Sequence, residues 1–166
     1  PLMQFTMSSP VNNRTAKIYG AEFAGQHFFG DTGFGVMANY TIVRGDVKFR
    51  NLDITDLNQF ALFGLSDTAN LVAMYEKHGI EARVAYNWRD EFLNRTGAGN
   101  NNPGYIEAYS QIDANVTYHI TDDLAVSLEA INITGEDRRE HARNEQMLWG
   151  YDDLGARYQV GVRYTF

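Results

Sequence analysis

The chain ends in Tyr158-Gln159-Val160-Gly161-Val162-Arg163-Tyr164-Thr165-Phe166, where apolar or aromatic side chains take every second position. An alternation of period two predicts a β-strand with one apolar and one polar face. A strand that closes a chain on an aromatic residue is unusual in a soluble domain, where termini tend to be polar and frayed. The rest of the sequence must therefore show whether the apolar face meets protein or lipid.

The same alternation recurs in six further segments. In the clearest of them, residues 80–89, apolar side chains at even-numbered positions alternate with polar or small ones. The seven segments are residues 15–27, 33–43, 68–76, 80–89, 109–120, 124–131 and 158–166, and residues 1–8 are consistent with the end of an eighth. No apolar run approaches the ~20 residues that a transmembrane helix needs. The sequence therefore predicts an all-β chain of seven to eight strands.

The connectors between these segments alternate in length. Residues 29–32, 77–79 and 121–123 form short connectors, and residues 44–67, 90–108 and 132–156 form long ones. Outer-membrane barrels have tight turns on the periplasmic side and long loops outside. Counted back from Phe166, all three short connectors fall on the side of the carboxy-terminus, as that architecture requires. We therefore predict an antiparallel up-and-down transmembrane β-barrel in the outer membrane of a Gram-negative bacterium.

Aromatic side chains sort by depth along the predicted strands. One belt would lie near the periplasmic ends and the other near the outer ends, with small and aliphatic residues between them, as amphipathic rings prefer. The members are Phe34, Tyr75, Tyr118, Tyr164 and Phe166 in the first belt, and Tyr19, Tyr40, Tyr86, Trp88 and Tyr158 in the second. Strands of a soluble sandwich or lipocalin-type barrel also alternate. That alternative would crowd the rings into a small interior, so the belts favour lipid.

Composition excludes several functions. A net charge of −7 argues against a nucleic-acid partner, which requires basic surfaces, and the absence of cysteine excludes disulfide and thiolate chemistry. The four histidines, His27, His78, His119 and His141, lack metal-ligand spacing. No nucleophile has an obvious base beside it in the sequence. We therefore expect no catalytic residues, no metal site, no cofactor and no enzymatic activity.

Several stretches resemble the carboxy-terminal barrel of TonB-dependent outer-membrane receptors. They are Pro10–Asn13, Ala16–Glu22, Gly33–Thr41, Tyr75–Arg89, Ile112–Tyr118, Leu128–Thr134 and Gly155–Phe166, and they follow one another in the order of that family. The resemblance implies a barrel of about 22 strands with a plugged lumen. Residues 1–166 would be the carboxy-terminal part of that barrel, without the plug domain. The implied function is energy-coupled uptake of a glycan or a metal–siderophore chelate, with a slight preference for the glycan.

The resemblance also implies a set of partners. These are outer-membrane lipid, the plug and the other barrel strands, TonB through the missing amino-terminal part, the barrel-assembly machinery and a small-molecule ligand. The alternative is a stand-alone small barrel of eight strands that serves as an adhesin or a structural anchor. An outer-membrane barrel enzyme would need an acidic or Ser/His/Asp constellation, which the sequence does not contain.

Three groups of residues are candidates for function. The polar face of the strands is expected to line the lumen, and the carboxy-terminal aromatics are expected to anchor the barrel and to carry the assembly signal. The long connectors are expected to recognise the ligand, because aromatic rings stack on sugars and Arg binds anionic groups. The candidates are Glu22, Asn39, Arg83, Asn87, Glu129 and Arg163 for the lumen, Tyr158, Tyr164 and Phe166 for the anchor, and Trp149, Tyr151, Arg143 and Asn101 for the ligand. Residues 94–104 are turn-rich and predicted to form a flexible loop.

Overall fold

The computed structural model describes residues 14–55, 59–97 and 102–166 and shows two antiparallel sheets. Its strands are β1 (Ile18–Phe28), β2 (Phe34–Gly45), β3 (Thr68–Lys77), β4 (Ile80–Arg89), β5 (Phe92–Arg95), β6 (Gly104–Ile106), β7 (Tyr109–His119), β8 (Leu124–Ile131), β9 (Arg138–His141), β10 (Leu148–Asp152) and β11 (Arg157–Tyr164). The helical structure in the described ranges is a single 3-10 turn, Gly30–Thr32. None of these residues belongs to a helix with the length and apolarity to cross a membrane.

Seven long strands form the main sheet, in the order β1-β2-β3-β4-β7-β8-β11. These are the seven segments that the alternation predicts, with bounds that agree to within about three residues at each end. The all-β, antiparallel prediction is thus confirmed. Among the described residues the sheet is open, because β1 and β11 lie at its two ends and do not pair with each other. The suggested eighth strand, residues 1–8, lies outside the described residues.

Each pair of neighbouring strands runs antiparallel, so the short connectors meet at one edge of the main sheet and the long ones at the other. The tightest connector is the two-residue turn His78-Gly79 between β3 and β4, where both residues have positive φ, 56° and 73°. Two positive φ values define the turn that matches the twist of paired strands, and glycine adopts this conformation without steric cost. The predicted alternation of short and long connectors is therefore present.

Strand register gives the main sheet two different faces. On the apolar face Ala38, Leu71, Tyr86 and Ile112 lie side by side across four strands. This face is open rather than packed: Leu71 is 53% exposed and Val160 is 71% exposed. Contiguous exposed apolar surface of this extent marks an interaction with protein or membrane. The apolar face of the main sheet is thus available for contact with another protein or with lipid.

Four short strands form a second sheet, which we call the connector sheet because its strands lie in the long connectors. Its order is β10-β9-β6-β5, so the connector after β4 pairs with the connector after β8. The sequence predicts a flexible loop over residues 94–104. The structure places β5 and β6 at the two ends of this segment, and residues 98–101 between them lie outside the described residues. The pairing of β6 with β9, more than thirty residues further along the chain, orders one end of the segment in a way that local turn propensity does not indicate.

Candidate functional site

The polar face of the main sheet carries rows of hydrogen-bonding side chains. In one row Asn39, Asn70, Asn87 and Gln111 occupy paired positions on four strands, and the Asn70 amide donates to Asn87. Gln111 Nε2 donates to Asp113 Oδ1 over 2.6 Å. All six residues proposed for the lumen lie on this face: Glu22, Asn39, Arg83, Asn87, Glu129 and Arg163. That the face lines a lumen remains a prediction.

The proposed anchoring aromatics lie at or near β11 with their rings exposed. Tyr158 is 67% exposed and Tyr164 61% exposed on the apolar face, and Phe166 follows the strand fully exposed. The rings of Tyr164 and Phe166 meet edge to face with 5.5 Å between their centroids. The Phe34 and Tyr75 rings form a similar pair at 4.7 Å beside the short connectors of β2 and β3. Aromatic pairs at this edge are what one interfacial belt requires.

Asp67 fastens the first long connector to the rim of the main sheet. Its carboxylate accepts hydrogen bonds from both terminal nitrogens of Arg44, one of them at 2.9 Å, and from the backbone N–H of Val43 at 3.3 Å. The Tyr40 hydroxyl lies 3.3 Å from the other carboxylate oxygen. The hydrogen bond from Arg44, opposed by burial and assisted by the Val43 N–H, lowers the pKa of Asp67 to about 2. Asp67 is therefore ionised at neutral and at mildly acidic pH.

We expect Asp67→Asn to loosen residues 46–67 at neutral pH, because the amide keeps the shape but loses the charge that Arg44 binds. In the unchanged protein the lowered pKa makes this link complete above the ordinary Asp pKa of about 3.9. The link is then lost as the pH falls from there through about 2. Limited proteolysis of this connector measures both effects. Asp122→Asn, an exposed change at the short-connector edge, is the control, and equal cleavage of the two variants would contradict the assignment.

In the connector sheet, Arg95 of β5 reaches across β6 to Glu140 of β9 and further to Trp149 of β10. Its Nη2 lies 2.7 Å from Glu140 Oε1, and its guanidinium carbon stands 4.2 Å from the centroid of the Trp149 ring. The crossing is possible because Gly104 lies between them: a Cβ atom there would come within 2.7 Å of Arg95 Nε. Glu140 is 9% exposed, whereas Trp149 keeps 39% of its surface exposed. The Trp149 ring thus packs against the guanidinium of Arg95, whose charge is balanced by the Glu140 carboxylate.

The four proposed ligand contacts are only partly brought together. Trp149 and Tyr151 both belong to β10, where the Tyr151 hydroxyl donates to Asp137, and this bond raises the pKa of Tyr151. Arg143 lies in the turn between β9 and β10 and exchanges hydrogen bonds with Asn51, which binds it to the first long connector. Asn101 lies outside the described residues. The roles of all four in binding remain predictions.

Sequence reasoning missed Arg95, Gly104 and Glu140. Each of them lies in a long connector, where neither alternation nor a motif distinguishes it. The partners are separated by about forty-five residues along the chain, so only the pairing of β6 with β9 brings them together. The local signal was a glycine next to Pro103 in a turn-rich stretch, and turn chemistry explains that signal equally well.

The long connectors carry the charge of the whole chain. Residues 46–67, 90–108 and 132–156 contain thirteen Asp and Glu and six Lys and Arg, a difference of −7 that equals the net charge of the protein. Four of the arginines stand beside a carboxylate: Arg50 at Asp53 over 3.2 Å, Arg95 at Glu140, Arg138 at Asp152 over 2.6 Å, and Arg139 at Glu107 over 3.5 Å. The connector end of the molecule is therefore acidic, and these cations are already neutralised.

An open antiparallel sheet with one apolar face, one polar face, tight turns at one edge and long structured connectors at the other defines the wall of a membrane barrel. The family model described as TonB dependent receptor-like, beta-barrel matches residues 2–133. The chain belongs to this family of receptors and transporters, which is typical of the outer membrane. Comparison with curated proteins and with solved structures gave no match.

Proposed function

We propose that residues 1–166 form the carboxy-terminal wall of a TonB-dependent receptor that takes up a neutral glycan across the outer membrane. The family match supports a receptor of this type rather than a small adhesin or anchor. Its proposed partners are outer-membrane lipid, a plug domain, further barrel strands, TonB and the barrel-assembly machinery. Family members transport their ligands, so we propose transport of the ligand and no chemical step on it.

The open edges of the main sheet support a larger barrel. In lipid, an unpaired backbone N–H or C=O costs several kcal/mol, so a β-sheet is stable there only when it closes into a barrel. Strands β1 and β11 each have one edge without a partner among the described strands. We propose that further strands of the receptor pair with both edges and close the barrel around the polar face.

The pairing of connector arginines with carboxylates is the observation that supports a neutral ligand. A ferric chelate with negative charge would approach connectors that hold an excess of carboxylates, while Arg95, Arg138 and Arg139 are occupied by Glu140, Asp152 and Glu107. Like charges at an interface disfavour a partner and slow its approach. A neutral glycan meets no such repulsion, and the half-exposed ring of Trp149 offers a flat surface for the C–H face of a sugar.

Uptake by cells that express the protein tests this proposal. We expect energy-dependent uptake of neutral oligosaccharides, lost in a strain without TonB, and no uptake of anionic ferric chelates. Trp149→Ala should weaken glycan binding roughly thirtyfold, the effect of removing an interface anchor of about 2 kcal/mol. Trp88→Ala, on the apolar face of β4, is the matched control and should leave binding unchanged. Uptake of the chelates instead of the glycans would refute the choice of ligand.

A further inference from the structure

His141 is the most completely enclosed titratable side chain of the connector sheet. It lies at the end of β9 and is 3% exposed. Its Nε2 stands 2.9 Å from Glu91 Oε2, and its Nδ1 stands 2.8 Å from the carbonyl oxygen of Ala142. The ring stacks on Tyr105, with 5.4 Å between centroids and 14° between planes. Both ring nitrogens and one ring face are therefore engaged.

The two partners of the ring nitrogens are both acceptors. A neutral imidazole has one N–H donor and one acceptor nitrogen, whereas an imidazolium has two donors. The Ala142 carbonyl can only accept, and so can the Glu91 carboxylate when it is ionised. Only the protonated ring satisfies both contacts at once, so deprotonation leaves a nitrogen lone pair facing an oxygen inside the fold.

We propose that His141 is a pH-sensitive clasp, which in its protonated form fastens β9 to the connector after β4 and which loosens the connector sheet when the proton leaves. The clasp joins distant parts of the chain, because Glu91 follows β4 and His141 follows β8 by ten residues. Strand β9 pairs with β6 on one side and with β10 on the other. Strand β10 carries Trp149, so the clasp holds the strand on which the proposed ligand contact lies.

The groups around His141 favour its charge. Glu91 faces it from the connector after β4, Tyr105 and Glu107 from β6 and the residue that follows it, and Arg143 and Glu145 across a cavity of about 470 Å³. Arg143 alone among them opposes the charge. Burial disfavours the cation, but the hydrogen bonds to Glu91 and Ala142 and the charges of Glu91 and Glu107 outweigh it and raise the pKa of His141. The cavity gives protons access to the pair.

The direction of the pH effect follows from the sign of this shift. A histidine whose pKa is raised on folding stabilises the fold fully below its ordinary pKa of about 6.5. The stabilisation is lost as the pH rises from there through the raised value. The connector sheet is therefore closed below the ordinary histidine pKa of about 6.5 and opens more often as the pH rises from there through the raised pKa of His141.

Limited proteolysis of the protein in outer membranes, from pH 5.5 to 9, tests the clasp. The cleavage rate within residues 132–156 is divided by that of His141→Gln at the same pH, which removes the pH dependence of the protease itself. We expect this ratio to rise at least threefold towards high pH and to approach one. A ratio that stays constant would overturn the proposal.

The protein supplies its own control at the opposite edge of the main sheet. There His119 Nε2 lies 2.8 Å from Glu81 Oε1, a similar pair in a different place. His119→Gln should retain the pH dependence of the unchanged protein, and its loss in this variant would also overturn the proposal. If His141→Gln does not reach the membrane, Glu91→Gln replaces it as the reference, since an amide removes the carboxylate charge that favours the imidazolium. None of these measurements depends on the identity of the ligand.

Discussion

Val84→Arg is expected to prevent stable assembly of the protein in the outer membrane, whereas Arg83→Val should leave assembly nearly intact. Val84 lies in the middle of β4, beside Ala73 and Ala114 on the apolar face, and is 49% exposed. Arg at the lipid midplane costs about 2–4 kcal/mol. The lost contact of the Val84 side chain with lipid adds at most about 1.5–3 kcal/mol, the value for full burial of an aliphatic side chain. Together they are a large fraction of the roughly 5–15 kcal/mol that stabilises a folded domain.

Arg83 is the matched control because it is the next residue of the same strand and points to the polar face. It lines a shallow depression with Asp113, Asn115 and Glu129, where a cation is accommodated by carboxylates and amides. Detergent extraction of membranes and the heat-induced mobility shift in gels measure assembly of both variants. Equal effects would show that the two faces have been assigned to lipid and lumen wrongly.

The main sheet is predictable from the sequence because its strands are long and its faces differ. In β4, ten residues alternate without interruption, and the structure gives the strand the predicted bounds, Ile80–Arg89. A shift of one residue would turn every apolar side chain to the polar face, so the pattern also fixes the register. The turns are nearly as visible: the sequence predicts a short connector at residues 77–79, and the structure gives the two-residue turn His78-Gly79 between β3 and β4. Local information is therefore sufficient for this part of the fold.

The connector sheet is not predictable in the same way. Its strands have three to five residues, too few for a period of two to stand out against a background of turn residues. Arg138-Arg139-Glu140-His141 contains no apolar residue at all, yet it forms a central strand. It pairs with β6 on one side and β10 on the other, and its side chains form pairs with other connectors, such as His141 with Glu91 and Arg139 with Glu107. Those pairs follow from the strand order of the main sheet, which brings distant connectors to one edge, and not from the local sequence.

The same limit applies to the candidate site. Trp149 and Tyr151 could be proposed from residue type alone, because aromatic side chains in a long connector suggest recognition. The residues that hold Trp149 in place could not be predicted, because Arg95 and Glu140 belong to different connectors. Pairing also reverses the meaning of the arginines. In the sequence a connector arginine suggests an anionic ligand, but in the structure Arg95, Arg138 and Arg139 each stand beside a carboxylate.

Gly104→Ala should open the connector sheet, because the added methyl group has no room on the path of Arg95. Its Cβ would lie 2.7 Å from Arg95 Nε and 2.9 Å from Arg95 Cγ, and it would also contact the buried Glu140 carboxylate. Either β6 moves away from β9 or Arg95 leaves Glu140 and Trp149. Overpacking of this kind costs about 1–3 kcal/mol, which corresponds to roughly five- to 150-fold faster opening of the sheet.

Gly150→Ala is the control, because Gly150 faces the same glutamate from the neighbouring strand β10. A Cβ at this position would stand 3.5 Å from Glu140 Cβ, an ordinary contact that needs no rearrangement. Proteolysis within residues 90–108 and 132–156 should therefore accelerate in Gly104→Ala and stay unchanged in Gly150→Ala. Glycan binding should also weaken in Gly104→Ala, because the Trp149 ring loses its contact with the Arg95 guanidinium. If both variants resist the protease like the unchanged protein, Arg95 does not cross β6, and the proposed support of Trp149 has to be abandoned.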